Sequence, residues 1–160
     1  MGRGKQTQSM LISDNSCYTI RYSEALSMAE MIWHQAVTSR QLQEGLNALL
    51  ATLSQKQTVL LVVDTRRLRG FRAGDEAWLK SCFMPKVNQV RVQRFARITN
   101  PDIFTEAISS NIHIDTQSQV NLSTARFFDR EKALEWLLES VTGLRQQKPC
   151  RGDYRANCLI

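Results

Sequence analysis

The stretch VLLVVDTRRLRGFRAGDEAWL, residues 59–79, decides the fold. With Thr58 in front of it, the stretch opens on an unbroken apolar and β-branched run that ends at Val63. A run of that kind without alternation suits a central strand covered on both faces. The strand closes on Asp64, then Arg66, Arg67, Arg69 and Arg72 follow in quick succession, and a helix opens near Gly74 and Asp75. In open α/β sheets, the loops beyond the carboxyl ends of the strands are the usual binding positions. The four arginines, with Phe71 for apolar contact, are therefore the candidate partner or anion surface. Guanidinium forks pair well with carboxylates and phosphates. The plainer reading is a solvated loop whose charge Asp64, Asp75 and Glu76 partly neutralise.

Upstream, Tyr18, Ile20 and Tyr22 alternate with Thr19 and Arg21, a period of two. Ala29, Met31 and Trp33 continue that pattern after the short link 23–27, which predicts an antiparallel hairpin. Thr38 and Gln41 have the spacing of a capping box. Leu42, Leu46, Leu49, Leu50 and Leu53 then make one apolar stripe on a helix ending near Ser54, Gln55 and Lys56. Gly45 interrupts that stripe at a cost in helix propensity, which marks close packing.

Downstream, residues 75–83 read as a helix with Ala77, Trp78, Cys82 and Phe83 inward, ended by Pro85. Val90, Val92, Phe95, Ala96 and Ile98 indicate another strand. Asn100 followed by Pro101 signals a helix start, with Ile103, Phe104, Ala107 and Ile108 as its apolar face. Ala125, Phe127 and Phe128 belong to a last strand. Asp129 caps a closing helix bearing Ala133, Leu134, Trp136, Leu137, Leu138 and Val141. The order β-β-α-β-α-β-α-β-α predicts an α/β domain: a single mixed, mainly parallel sheet with helices packed against it. Residues 1–16 read as a flexible leader, 17–141 as the domain, and 142–160 as a basic flexible tail.

A chain of 160 residues with 42% hydrophobic content fits one globular domain with a real core. No apolar run approaches the roughly 20 residues of a membrane span. The first residues lack the apolar stretch of a signal peptide, and Gln6 stands where a myristoylation motif carries Ser or Thr. Cys17, Cys82, Cys150 and Cys158 show no CxxC spacing, and His34 and His113 are the only imidazoles. No zinc site or other cofactor is expected. Cys82 reads as core, and the thiols suit a reduced, cytoplasmic protein. The net charge is +6, but residues 17–141 carry only +2 of it and residues 142–160 carry +3.

Four segments carry a resemblance: the hairpin ending in MAEMIWHQAV, the strand TVLLVVDTRRL, the following DEAWLKSCFMPKV, and the closing TARFFDREKALEWLLES. Together the chain resembles the SpoIIAA-like family of the STAS superfamily, in the form of small stand-alone bacterial proteins, over roughly residues 17–141. The resemblance implies a non-catalytic regulatory or protein-interaction domain in signalling, with another protein or a second copy as partner. It also implies room for a small apolar ligand; from the residues themselves, Trp78 and Phe83 are candidates for the wall of an apolar pocket or for a dimer face. In relatives that act as anti-anti-sigma factors, a phosphorylated Ser or Thr near the helix after the central strand controls partner binding. The matching segment here, residues 71–75, contains neither; Thr65 and Ser81 flank it.

Two other classes compete. Arg91, Arg94 and Arg97 could extend a basic surface toward nucleic acid, with Arg145, Lys148, Arg151 and Arg155 as a basic arm. Phe71 is the one aromatic within the arginine run, and no nucleic-acid-binding module is visible. For an enzyme, Asp64, His34 and His113 lack evident partners, and GxSxG, GxGxxG and P-loop motifs are absent. Trp33, Trp78 and Trp136 read as core anchors.

Overall fold

A computed structural model describes residues 8–69, 72–100 and 122–146. Six strands form one sheet in sequential order: β1 Met10–Asp14, β2 Tyr18–Ser23, β3 Met28–Trp33, β4 Leu60–Asp64, β5 Arg94–Ile98 and β6 Ser123–Phe127. The pairs β1–β2 and β2–β3 are antiparallel, and β3 through β6 run parallel. The mixed, mainly parallel sheet with helices packed against it is the architecture expected. All five residues of β4 are buried, as a central strand covered on both faces requires.

The amino end differs from expectation. Residues 10–14 fall inside the segment read as a leader, yet they form β1 and pair with β2 through a register shift between Leu11 and Ser13. The shift hides the strand signal, because an extra residue in a bulge breaks strict alternation. Met10, Leu11 and Ile12 are exposed there.

Helix α1, Ser39–Gln55, begins as predicted. The Thr38 hydroxyl accepts from the Gln41 N–H at 3.2 Å, and the Gln41 side chain accepts from the Thr38 N–H at 2.9 Å. Leu42, Leu46, Leu49 and Leu53 face Ile20, Met31, Trp33, Leu61 and Val63 in one core. The opposite sheet face packs Met28, Leu60, Val62, Ala96 and Ile98 against Ala133 and Leu137 of α4, Arg130–Gln146. Asp129 accepts from the Glu131 N–H at 2.7 Å and so caps α4. That helix runs beyond residue 141, where the tail was expected to begin.

The segment after β4 also departs. It forms α2, Ala73–Trp78, a π-helical turn, Leu79–Phe83, and α3, Met84–Val87. Pro85 therefore does not end the helical path. Proline lacks an N–H and its ring crowds the carbonyl one turn back; the wider π turn makes room, with the Met84 N–H reaching the Leu79 carbonyl. The same widening overturns the placement of Cys82. A four-residue step from Trp78 would bring Cys82 inward. The π turn instead brings Phe83 under Trp78, with ring centroids 6.2 Å apart, and leaves Cys82 exposed. Ala77 is exposed as well. Of the tryptophans, Trp33 is fully buried, while Trp78 and Trp136 are half-buried against the two cores. The predicted strand around residue 92 starts only at Arg94, and Phe128 lies beyond β6. The expected helix from Pro101, His113, and the tail past residue 146 lie outside the described residues.

Candidate functional site

The arginine loop leaves the carboxyl end of β4, and its backbone is tied down on several sides. The Thr65 N–H and hydroxyl both reach the Ile98 carbonyl, at 2.8 and 2.9 Å. Asn100 Nδ2 donates to the Arg66 carbonyl at 2.7 Å, and the Leu68 N–H to Thr65 at 3.1 Å. The Arg69 carbonyl accepts from the Val37 N–H at 3.4 Å. Leu68 is buried in the α1 core.

The four guanidiniums differ in their surroundings. Arg66 folds back on Asp64, Nε to Oδ1 at 3.0 Å and Nη2 to Oδ2 at 2.7 Å. That hydrogen bond holds the Arg66 pKa above its ordinary value against the opposing effect of burial. Arg67, Arg69 and Arg72 are exposed. Phe71 lies outside the described residues. Asp75 turns back to the loop, accepting from the Arg72 N–H at 3.0 Å, and is itself buried. Of the three carboxylates considered as neutralisers, Asp64 thus pairs with Arg66, Asp75 with backbone, and Glu76 with Lys80 at 2.8 Å.

Beneath the loop lies a cavity of about 470 Å³ between the α1 face of the sheet and the helical layer. Leu42, Leu46 and Leu49 of α1, Leu61 and Val63 of β4, and Phe83 form much of its apolar wall; Thr65 and Leu68 of the loop reach it as well. Phe83, expected at an apolar pocket, lines the cavity. Trp78 does not, and backs Phe83 instead. At the β5–β6 side the wall becomes basic: Arg97 and Arg126 are register partners and both line the cavity. Burial, and then the neighbouring Arg126 charge, lower the Arg97 pKa from its ordinary value.

The sequence does not anticipate this pair. Arg97 was grouped with Arg91 and Arg94 as a basic surface, but an odd spacing on a strand sends Arg94 and Arg97 to opposite faces. Arg94 stacks over Trp136, 4.7 Å from the ring centroid, on the α4 side. Parity with Phe95 was the available signal for Arg97. A second omission is Glu30, an acidic residue in a buried strand, which takes Arg130 at 2.7 Å. A charge at such a position calls for a partner.

His34 Nε2 lies 2.7 Å from Thr19 Oγ1, which donates to Asp14 Oδ1 at 2.7 Å. With its proton directed to Asp14 and its side chain buried, that hydroxyl is a structural link between β1, β2 and the end of β3. Among the described residues no group of three or more His, Cys, Asp or Glu side chains converges as metal ligands, and no helix is long and apolar enough to cross a membrane.

The parallel strands, their covering helices and the loop at the strand ends define an open α/β domain, a class in which ligands usually bind beyond the carboxyl ends of the strands. No protein-family model matches the chain, and no match is found among curated proteins. Among solved structures it is similar to an uncharacterized protein from the DUF3478 family with a SpoIIAA-like fold from Shewanella loihica PV-4. The identity is 17%, the TM-score 0.46, and the match covers 81% of this chain and 92% of that one. This likeness says nothing about a partner or ligand for this chain.

Proposed function

We propose that this chain is a non-catalytic regulatory or protein-interaction domain that offers the loop after β4 to an acidic surface of a partner protein. The supporting observation is a contrast within the loop. Hydrogen bonds from Thr65, Asn100, Leu68 and Val37, with buried Leu68, hold the backbone, while Arg67, Arg69 and Arg72 remain exposed. Backbone already held at residues 65–69 loses little conformational freedom on docking. Its forks match carboxylates in geometry as well as charge.

Charge reversal at Arg67 and Arg69 tests the reading. A photo-crosslinker is placed at position 72 in the wild-type chain and in an R67E/R69E variant, and both are exposed to extract of the native cell with and without nuclease treatment. The reading expects a discrete protein adduct with the wild type and its loss in the variant, with both chains folded by circular dichroism. An equal adduct in both would contradict it. Capture that disappears on nuclease treatment would assign the surface to nucleic acid instead, and an adduct of twice the chain mass would make the partner a second copy.

A further inference from the structure

The margin of the sheet carries an apolar sequence that matches itself. β1 stands at one end of the strand order and, among the described residues, pairs only with β2. Its outer side therefore offers the row of backbone N–H and C=O groups that accepts a further strand. Four large hydrophobic side chains are exposed among the described residues, and three of them, Met10, Leu11 and Ile12, follow one another on β1. Exposed apolar residues are ordinary when scattered singly, but a run of them on a sheet margin is a template for pairing. Margins that stay single carry lysine, proline or a bulge. Residues 8–14 contain neither lysine nor proline, and the register shift between Leu11 and Ser13 is the one such device on β1.

We propose that β1 pairs with β1 of a second copy, antiparallel about a twofold axis at Leu11, joining two six-stranded sheets into one. The sequence of the strand names the occupant. Residues 9–13 read Ser-Met-Leu-Ile-Ser, the same in polarity from either end. A twofold interface brings residue i against j and j against i. Centred on Leu11, the pairing sets Leu11 against itself, Met10 against Ile12 and Ser9 against Ser13. Directly opposed side chains are the unit that stabilises such a ladder, and here apolar meets apolar. Centring one residue later would set Met10 against the Asp14 carboxylate and Leu11 against Ser13. Each copy uses β1 once, so assembly stops at two chains. Phe83, the other residue considered for a dimer face, is buried. β1 lies three strands from β4, so the inference is independent of the acidic-partner reading of the loop after β4.

Sedimentation equilibrium of the full chain, from micromolar to near-millimolar concentration, tests the pairing. A strand of five residues makes a small interface, below about 1,200 Å², so a reversible dimer is expected within that range. Leu11→Lys sets like charges opposite each other at the axis and should weaken the dimer about tenfold or more. In the unmodified protein, amide hydrogen exchange in residues 8–14 should slow as concentration rises through the dimer range. A monomer at every concentration would overturn the proposal, as would a mass that climbs past two chains. So would a dimer that Leu11→Lys leaves intact, or concentration-dependent protection that spares residues 8–14. The exchange measurement stands even if Leu11→Lys does not fold.

Discussion

Glu30 of β3 and Arg130 at the start of α4, 100 residues apart in sequence, form a two-point ion pair: Nε to Oε1 at 2.7 Å and Nη2 to Oε2 at 3.0 Å. The carboxylate is 8% exposed and the guanidinium 45%. The pair fixes one end of α4 to the sheet. Arg130→Ala would leave a buried carboxylate without its fork, so it should cost about 2–3 kcal/mol, somewhat less than for a fully enclosed pair. Glu30→Met with Arg130→Met removes both charges and should lie within about 1 kcal/mol of wild type. Urea unfolding of Arg130→Ala and of the double variant measures this directly. The Glu30 hydrogen bond raises the Arg130 pKa above its ordinary value. Stability from such a base is present below the unfolded-state pKa and lost as pH rises through the folded one. For arginine that window begins above about pH 12, so Arg130 should add no slope to stability between about pH 6 and 9.

Gly45 sits where α1 crosses Trp33. A Cβ at that position would lie 2.5 Å from Trp33 Cη2 and 3.0 Å from the Tyr18 ring. Trp33 is 1% exposed and has little room to yield. Gly45→Ala gains about 1 kcal/mol of helix propensity and should still lower stability by about 1–2 kcal/mol through overpacking. Thermal unfolding should show a drop of a few degrees, about 2–4 °C per kcal/mol. A rise would show that the crossing can open without cost.

Gln57 follows α1 with φ at 51°, and the Thr58 N–H returns to the Leu53 carbonyl at 3.2 Å. This is the left-handed helix stop that glycine favours. Gln57→Gly should stabilise the fold by about 0.5–1 kcal/mol, the relief exceeding the extra freedom of the unfolded chain. Its side chain holds only a long exposed contact to Arg91, at 3.4 Å. Chemical denaturation gives the sign.

The central strand, the capping box and the final Asp129 cap were legible because each depends on residues close together in sequence. β1 was not, since its bulge breaks the alternation and its side chains are exposed. The path through Pro85 was hidden because a π turn changes which residues share a face, keeping Phe83 inward as expected but turning Cys82 outward. The Arg97–Arg126 and Glu30–Arg130 relationships depend on strand order and on which sheet face each helix covers. Periodicity reports neither. The arginine loop was visible as composition, but the division between Arg66, held by Asp64, and its exposed neighbours emerges only from geometry.

The most direct test of the outer arginines as a contact surface is a titration of the ¹⁵N-labelled full chain with a poly-glutamate peptide at low salt, followed by amide chemical shifts. The account predicts saturable shifts concentrated in residues 65–72 that weaken with added salt and vanish in R67E/R69E. Shifts spread over both sheet faces, or unchanged by the double charge reversal, would contradict it.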